Sequence, residues 1–162
     1  MMLIPSKQIT VLYSHDIPAA LQLYENEQPL RKSALIYSDW ETIPYLSLAD
    51  NLYLGVPRKL RKPKVSRPLL ELLGLESTIL RRPLEEVTYF QRLRLQIMQQ
   101  LLRQPEQLLL VDVTEHLSIK ETQDLLHYIY GIVAQRDIDV VFLTQNASLA
   151  TSLQPGEPTS ER

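Results

Sequence analysis

Short, continuous apolar runs alternate along this chain with segments of helical periodicity. The clearest runs are residues 108–112 (LLLVD) and 140–144 (VVFLT), and β-rich runs also occupy residues 9–13 and 33–37. Strands that are apolar at every position are typical of parallel sheets, because such sheets are buried on both faces. The pattern therefore predicts an α/β fold in which helices flank a parallel sheet.

Helix signals lie between these runs. Asp16 can cap a helix with Pro18 in its first turn, and Ser47 can cap a helix over residues 48–54. A short helix is predicted at residues 68–73, where Gly74 stops it. Pro44 excludes a long helix before it. The segment from about residue 40 to residue 84, which contains the two short helices, is predicted to be a small helical insertion.

Two longer helices are predicted in the second half of the chain. The first covers about residues 86–102 and ends before Pro105, and the second opens at Ser118 with a capping-box signature that includes Glu121. Their apolar positions recur at intervals of three and four residues: Phe90, Ile97, Met98, Leu101 and Leu102 in the first, and Leu125, Leu126, Ile129, Ile132 and Val133 in the second.

Composition excludes several kinds of function. With 162 residues the chain is sized for one domain, and no apolar run approaches the roughly 20 residues that cross a bilayer. There is no leader-like start, so a cytoplasmic location is expected. The absence of cysteine excludes disulfides and thiolate sites, and the scattered His15, His116 and His127 give no basis for a metal site.

A basic segment lies between Pro57 and Arg67, with six bases and no acid. Its members are Arg58, Lys59, Arg61, Lys62, Lys64 and Arg67. Most such runs are solvated surface, and the functional alternative is a site for an acidic protein, anionic lipid or nucleic acid. Prolines 57, 63 and 68 argue against a continuous basic helix, and no interleaved aromatic residue offers a stacking platform, so nucleic acid is the weaker branch.

Residues 83–112 (PLEEVTYFQRLRLQIMQQLLRQPEQLLLVD) resemble the region of ATP-binding cassette (ABC) transporter nucleotide-binding subunits that runs from the signature motif to the Walker B strand. The family pattern there is approximately ELSGGQ-R-Q-R, a helix, LL-x-x-P and LLLLD. In this alignment the signature positions are Val87, Thr88, Tyr89, Phe90 and Gln91, with Arg92 and Arg94 beside them. Asp112 ends the Walker B strand, and Val113 stands where the family has its catalytic glutamate.

Other landmarks follow in the family's order. Residues 14–21 (SHDIPAAL) stand where a Walker A loop would lie, between a strand and a helix. Ser38 stands at the Q-loop position, and Gln145 stands at the position of the switch histidine. The resemblance covers about residues 9–153 and implies a P-loop NTPase-like fold. Only about 17 residues separate Leu21 from Asp39, so a reduced N-terminal β region is expected.

At the motif positions the residue types differ from those that ATP chemistry needs. Ser14, Ala19, Ala20 and Leu21 replace the two glycines, the lysine and the hydroxyl residue of Walker A. The chain has only four glycines, and at the signature Tyr89 and Phe90 replace two more. These two aromatics belong either to the core or to an apolar surface patch that binds a partner.

The remaining catalytic positions also depart from the family. Val113 cannot activate water, and Glu115 is two positions away although catalytic carboxylates need tight placement. Asp112 could hold magnesium, but a turn or cap role is favoured because no phosphate ligand accompanies it. Gln145 can donate a hydrogen bond but lacks the charge states of histidine.

The sequence therefore predicts a truncated ABC ATPase-like domain over residues 1–153, followed by a flexible tail at 154–162. The leading function is non-catalytic, with no cofactor: an accessory or regulatory subunit that binds an active ABC ATPase subunit or a membrane permease, cytoplasmic or peripheral at the inner face of the membrane. Homo-oligomerisation stays open. The alternatives are a conventional ATP-binding transport subunit, which would use ATP and magnesium, and a basic-patch binder of nucleic acid or anionic lipid.

Overall fold

A computed structural model describes residues 9–27 and 32–152, and its centre is a sheet of four parallel strands. The strands are β1 (Ile9–Tyr13), β2 (Ser33–Tyr37), β3 (Gln107–Val111) and β4 (Asp139–Thr144). Their order across the sheet is β1-β4-β3-β2, so β4 pairs with both β1 and β3. This arrangement confirms the predicted α/β fold, and each predicted strand lies within one residue of its observed bounds.

Six helices surround the sheet within the described part of the chain. They are α1 (Ile17–Glu27), α2 (Leu48–Leu52), α3 (Pro63–Leu72), α4 (Tyr89–Leu102), α5 (Ile119–Arg136) and α6 (Ala147–Ser152). Short 3-10 turns occupy Arg58–Leu60, Ser77–Arg81 and Leu84–Glu86. No helix among the described residues combines the length and apolar character needed to cross a membrane.

The two faces of the sheet carry cores of different size. Alternate strand residues such as Ile36, Leu110 and Phe142 point to the larger core, which includes side chains from α2 to α6. The opposite set, including Leu109 and Val141, packs in a much smaller cluster against α1, the one helix of the described residues that contributes to it. Period-two alternation sends neighbouring strand residues to opposite faces, which explains why β3 and β4 are apolar at nearly every position.

Two predicted helix starts were wrong. Helix α3 begins at Pro63, five residues before the predicted start, because proline is favoured at the first helical position. Pro68 lies inside the helix, where the buried side chains of Ser66, Leu69 and Leu70 on the same helix hold it against the core. The basic segment is therefore not one continuous helix, as its prolines indicated, although its second half from Pro63 onward is helical.

Helix α4 begins at Tyr89, three residues after the predicted start. Thr88 caps it: its Oγ1 accepts a hydrogen bond from the backbone N–H of Gln91 (3.1 Å), and Gln91 Oε1 accepts one from the N–H of Thr88 (3.0 Å). This capping box was not recognised in the sequence. Helix α2 ends at Leu52, two residues earlier than predicted, before Gly55 with its positive φ of 74°.

The helical elements between β2 and α4 share the larger core with the sheet. Leu48, Leu52 and Leu69 belong to the same buried cluster as Ile36 and Leu108. The predicted helical insertion at residues 40–84 thus shares one buried cluster with the strands, and its helices α2 and α3 pack against α4. The predicted tail at 154–162 lies outside the described residues.

Candidate functional site

The carboxyl ends of the four strands bring the motif positions to one edge of the sheet. Ser14, Ser38, Asp112 and Gln145 directly follow β1, β2, β3 and β4. Backbone hydrogen bonds fix this edge, since the N–H of Ser14 donates to Thr144 O (3.0 Å) and that of Asp112 donates to Leu143 O (2.7 Å). Ligands of open parallel α/β sheets bind at this edge, so it is the candidate nucleotide site.

Helix α1 begins sooner than a phosphate-binding loop allows. Only three residues separate β1 from Ile17, and Ala19, Ala20 and Leu21 lie inside the helix rather than in or beside a loop. In a Walker A motif the glycine-rich stretch comes before the helix and wraps the phosphates with its N–H groups. The Walker A positions therefore form a helix turn here.

The carboxylate of Asp16, the residue just before α1, caps the N-terminus of this helix. Asp16 Oδ1 accepts a hydrogen bond from the N–H of Ala19 (3.2 Å), and Ser14 Oγ accepts one from the N–H of Asp16 (3.0 Å). Pro18 has no N–H to offer. In the first turn of α1, the N–H of Ala19 is thus paired with the Asp16 side chain and that of Ala20 with the Asp16 carbonyl, and the negative charge of Asp16 lies at the helix end where a phosphate would bind.

Asp112 links the ends of two neighbouring strands. Its backbone is in the left-handed region (φ 53°), and its Oδ1 accepts a hydrogen bond from the N–H of Gln145 (3.4 Å). Asp112 thus makes a turn-type contact between the two strand ends. Among the described residues, no group of three or more His, Asp or Glu side chains is arranged to hold a metal ion.

The residue after Asp112 points away from this edge. Val113 is 1% exposed and belongs to the larger core. Glu115 is exposed, and its Oε1 lies 3.7 Å from Nε2 of His116. No carboxylate therefore occupies the position directly after Asp112, where a water-activating glutamate would be needed.

The structure resolves the two readings of Tyr89 and Phe90. Phe90 is 7% exposed and lies in the larger core, so its assignment to a partner-binding surface was wrong. Tyr89 is half-buried, and its hydroxyl donates a hydrogen bond to Val113 O (3.2 Å). Its ring packs edge-on against the ring of His116, with the two ring centroids 5.6 Å apart. Burial, followed by the charges of Asp39, Glu115 and Asp112, raises the pKa of Tyr89 to about 12.

Arg94 has a packing role on α4. Its guanidinium lies over the rings of Phe90 (4.1 Å) and Tyr128 (5.2 Å) and donates to Leu73 O (3.0 Å) and Gly74 O (3.3 Å). These carbonyls end α3, where a cation is favoured by the helix dipole. Burial lowers the pKa of Arg94 below its ordinary value. Two further residues of the signature region lie nearby. Val87 is buried in the core, and Arg92 is half-buried on α4.

Glutamines of α4 hold the Q-loop region, and sequence reasoning missed them. Gln96 accepts a hydrogen bond from the N–H of Tyr37 and donates one to its carbonyl, both at 3.0 Å. Gln99 accepts one from Trp40 Nε1 (3.3 Å). A polar residue on the apolar side of a helix is the signal that could have identified them. Beside them a cavity of about 400 Å³ is lined in part by Ser38 and Asp39.

A second cavity lies within the helical insertion. It has a volume of about 460 Å³, and the segments 44–48 and 80–85 line it. Tyr45 on its rim is 86% exposed, the highest value among the large apolar and aromatic side chains of the described residues. The six bases of the basic segment are also exposed, on the 3-10 turn Arg58–Leu60, on the two residues that follow it and on the N-terminal half of α3.

No protein-family model matches the sequence. Solved structures do match the fold. A metal-chelate-type ABC transporter in an inward-facing conformation has a TM-score of 0.70 and 15% identity, with 89% of this chain covered. A part of an ABC transporter complex from Clostridium perfringens has a TM-score of 0.70, 13% identity and 90% coverage of this chain.

A dimeric bacterial ABC transporter cassette also matches, with a TM-score of 0.64, 14% identity and 93% of this chain covered. The chain spans 65% of the metal-chelate transporter chain, 70% of the Clostridium protein and 80% of the dimeric cassette. Identities this low establish the fold alone. The resemblance drawn from the motif positions is thus confirmed at the level of structure: this chain has the α/β fold of ABC transporter nucleotide-binding domains, in a form shorter than theirs.

Proposed function

We propose that this chain is a non-catalytic protein with the ABC ATPase fold that acts as an accessory or regulatory subunit through protein contacts. The observation that carries the proposal is the N-terminus of α1, where Asp16 caps the N–H of Ala19 with a carboxylate. A phosphate group approaching this helix would meet a negative charge and would have to displace an existing hydrogen bond.

Two further features support a lack of ATP chemistry. Ala20 stands where a lysine would neutralise the phosphates, and Val113 is buried where a carboxylate would orient water. The carboxylates that act on Tyr89 make the same edge of the sheet acidic. The residues present therefore do not fit ATP with magnesium, and no catalytic step is assigned to them.

Calorimetry tests the nucleotide half of the proposal. Titration of the purified chain with Mg-ATP is expected to give no binding heat, because Ala20 replaces the lysine that would anchor the phosphates. A steady-state assay is expected to detect no phosphate release, because Val113 replaces the carboxylate that would orient water. A conventional cassette run in parallel is the positive control. Micromolar binding that Asp112→Asn weakens would instead support a conventional ATP-binding subunit.

The protein-binding half rests on the cavity beside Tyr45. An exposed tyrosine at the rim of a groove is a typical interface anchor. By the resemblance, the groove lies in the helical insertion, which in the family faces the permease. We infer that the partner is a permease or an ABC ATPase subunit with intact motifs, which would place the complex at the cytoplasmic face of the membrane.

Affinity capture from the native cell tests this inference. The tagged chain is expected to recover a permease or an intact ATPase subunit. The Tyr45→Ser variant is expected to recover at least about 90% less of this partner, because a tyrosine that becomes buried in a partner's surface contributes about 2 kcal/mol or more to binding. Tyr130→Ser, an equally simple change at a tyrosine that is 59% exposed on α5, is the matched control. Recovery of neither class of protein, or equal losses in both variants, would rule the inference out.

A further inference from the structure

Tertiary contacts extend the basic segment into a larger basic surface. Arg103 Nη2 donates to Leu54 O (2.7 Å), and Lys32 Nζ donates to Arg103 O (2.8 Å). Arg61 Nε donates to Val56 O (2.8 Å), two residues further along the chain from Leu54. Lys32 and Arg103, distant in sequence, thus adjoin the end of the basic segment that contains Arg61. We call these eight residues the basic surface: Lys32, Arg58, Lys59, Arg61, Lys62, Lys64, Arg67 and Arg103.

The positive charge of this surface is largely uncompensated. Seven of its members are exposed, Arg103 is half-buried, and none takes part in an ion pair identified among residues 9–27 and 32–152. Two acids lie at its margins. Glu106 Oε1 accepts a hydrogen bond from the N–H of Lys32, and Glu71 is one helical turn beyond Arg67. Eight bases against two marginal acids leave a strong positive field on a chain of net charge −2.

The basic surface is held by apolar residues on its inner side. Leu60 and Val65 pack against the larger core, and Leu69 is buried within it. The bases between them therefore project outward from a fixed scaffold. The N-terminus of α3 at Lys62 has no side-chain cap and no acid in its first turn, so the helix dipole adds to the positive charge.

The character of this surface favours a membrane over other anionic partners. No aromatic residue lies between Pro57 and Arg67, so bases of a nucleic acid would find no stacking platform there. Leu54, whose carbonyl binds Arg103, is 40% exposed among the bases and can enter the headgroup layer. Clusters of four to eight Lys and Arg residues are typical of surfaces that bind anionic lipid headgroups.

We propose that the basic surface docks this protein on a membrane that contains anionic lipids, with Leu54 inserted at the headgroup level. The docking needs neither nucleotide nor a protein partner, so it stands or falls separately from the proposed function.

Vesicle sedimentation of the purified chain tests this docking. We expect binding to phosphatidylcholine vesicles that contain about 30% phosphatidylserine, none to pure phosphatidylcholine vesicles, and loss of binding when salt rises to about 0.5 M. The triple variant Lys59→Gln, Lys62→Gln, Lys64→Gln should bind roughly 10- to 100-fold more weakly, because each base near the surface contributes to the attraction.

A second triple variant separates the surface from overall charge. Arg81→Gln, Lys120→Gln, Arg136→Gln removes the same number of exposed bases elsewhere and should bind like the unmodified chain. Equal losses in the two variants would show a nonspecific charge effect and overturn the proposal. Tighter binding to duplex DNA or to RNA than to the vesicles, at the same salt, would also overturn it and identify a nucleic acid as the ligand. Thermal unfolding of each variant checks that the fold is retained.

Discussion

The hydroxyl of Tyr89 is affected by three carboxylates, from Asp39, Glu115 and Asp112, and by its own burial. It also donates a hydrogen bond to Val113 O, which only the protonated phenol can do. Because the folded chain holds the proton, Tyr89 ionises at about pH 12 rather than at its ordinary value near 10.

Tyr89 therefore predicts a pH dependence of stability. Between pH 10 and about 12 the unfolded chain releases this proton while the folded chain keeps it, so the free energy of unfolding falls as the pH rises. Urea unfolding at several pH values in this window should show a smaller fall in the free energy of unfolding for Tyr89→Phe than for the unmodified chain. Tyr130→Phe, at an exposed tyrosine, should behave like the unmodified chain; a shallower fall in both variants would contradict the assignment.

Residues of α4 show why chemical type alone does not reveal a role. Arg94 was identified in the sequence as a basic neighbour of the signature positions, but its contacts with Leu73 O and Gly74 O lie some twenty residues away in sequence. Gln96 contacts both backbone groups of Tyr37 on β2. Such contacts depend on which helix packs beside which strand, and periodicity contains no information about that.

At the scale of elements, α3 contains two prolines in different positions. Pro63 is at the first helical position, where its missing N–H costs nothing. Pro68 lies five residues later, so the helix lacks the hydrogen bond that residue 68 would donate to the carbonyl of Lys64.

Replacement of Pro68 should therefore stabilise the protein. Pro68→Ala restores the missing donor, and we expect a rise of about 1–2 kcal/mol in the free energy of unfolding, less than the full cost of about 3 kcal/mol because alanine also frees the unfolded chain. Pro63→Ala is the matched control and should be neutral or slightly destabilising. Chemical denaturation measures both, and a stabilisation of equal size in the two variants would refute the explanation.

Strand bounds were more predictable than helix starts. A buried strand is apolar throughout and ends where polar residues begin, so residues 33–37 and 140–144 could be located to within one position. Helix starts depend on which of several candidate caps is used. Helix α4 begins after Thr88 and helix α3 begins at Pro63, because the residues that follow pack against the core.

For the whole molecule, the shared core predicts cooperative unfolding. Leu52 of α2 and Leu108 of β3 belong to one buried cluster, so the helical insertion and the sheet cannot separate without exposing it. Trp40, the only tryptophan, packs partly buried against this cluster, and its Nε1 donates a hydrogen bond to Gln99 on α4.

Tryptophan fluorescence and far-ultraviolet circular dichroism should therefore report the same urea midpoint. Leu52→Ala should lower both midpoints together, with a loss of about 2–4 kcal/mol from the cavity it leaves. Leu23→Ala, at a side chain that is 63% exposed on α1, is the control and should leave both nearly unchanged. Separate midpoints for the two probes would show that the insertion unfolds on its own.

The sequence by itself determined the α/β class, the strands and the cap at Asp16, because hydrophobic periodicity and capping act between residues close in the chain. Only the tertiary structure decided the strand order β1-β4-β3-β2, the burial of Phe90 and the joining of Lys32 and Arg103 to the basic segment. These features depend on contacts between residues far apart in sequence, which form when the chain buries its apolar faces.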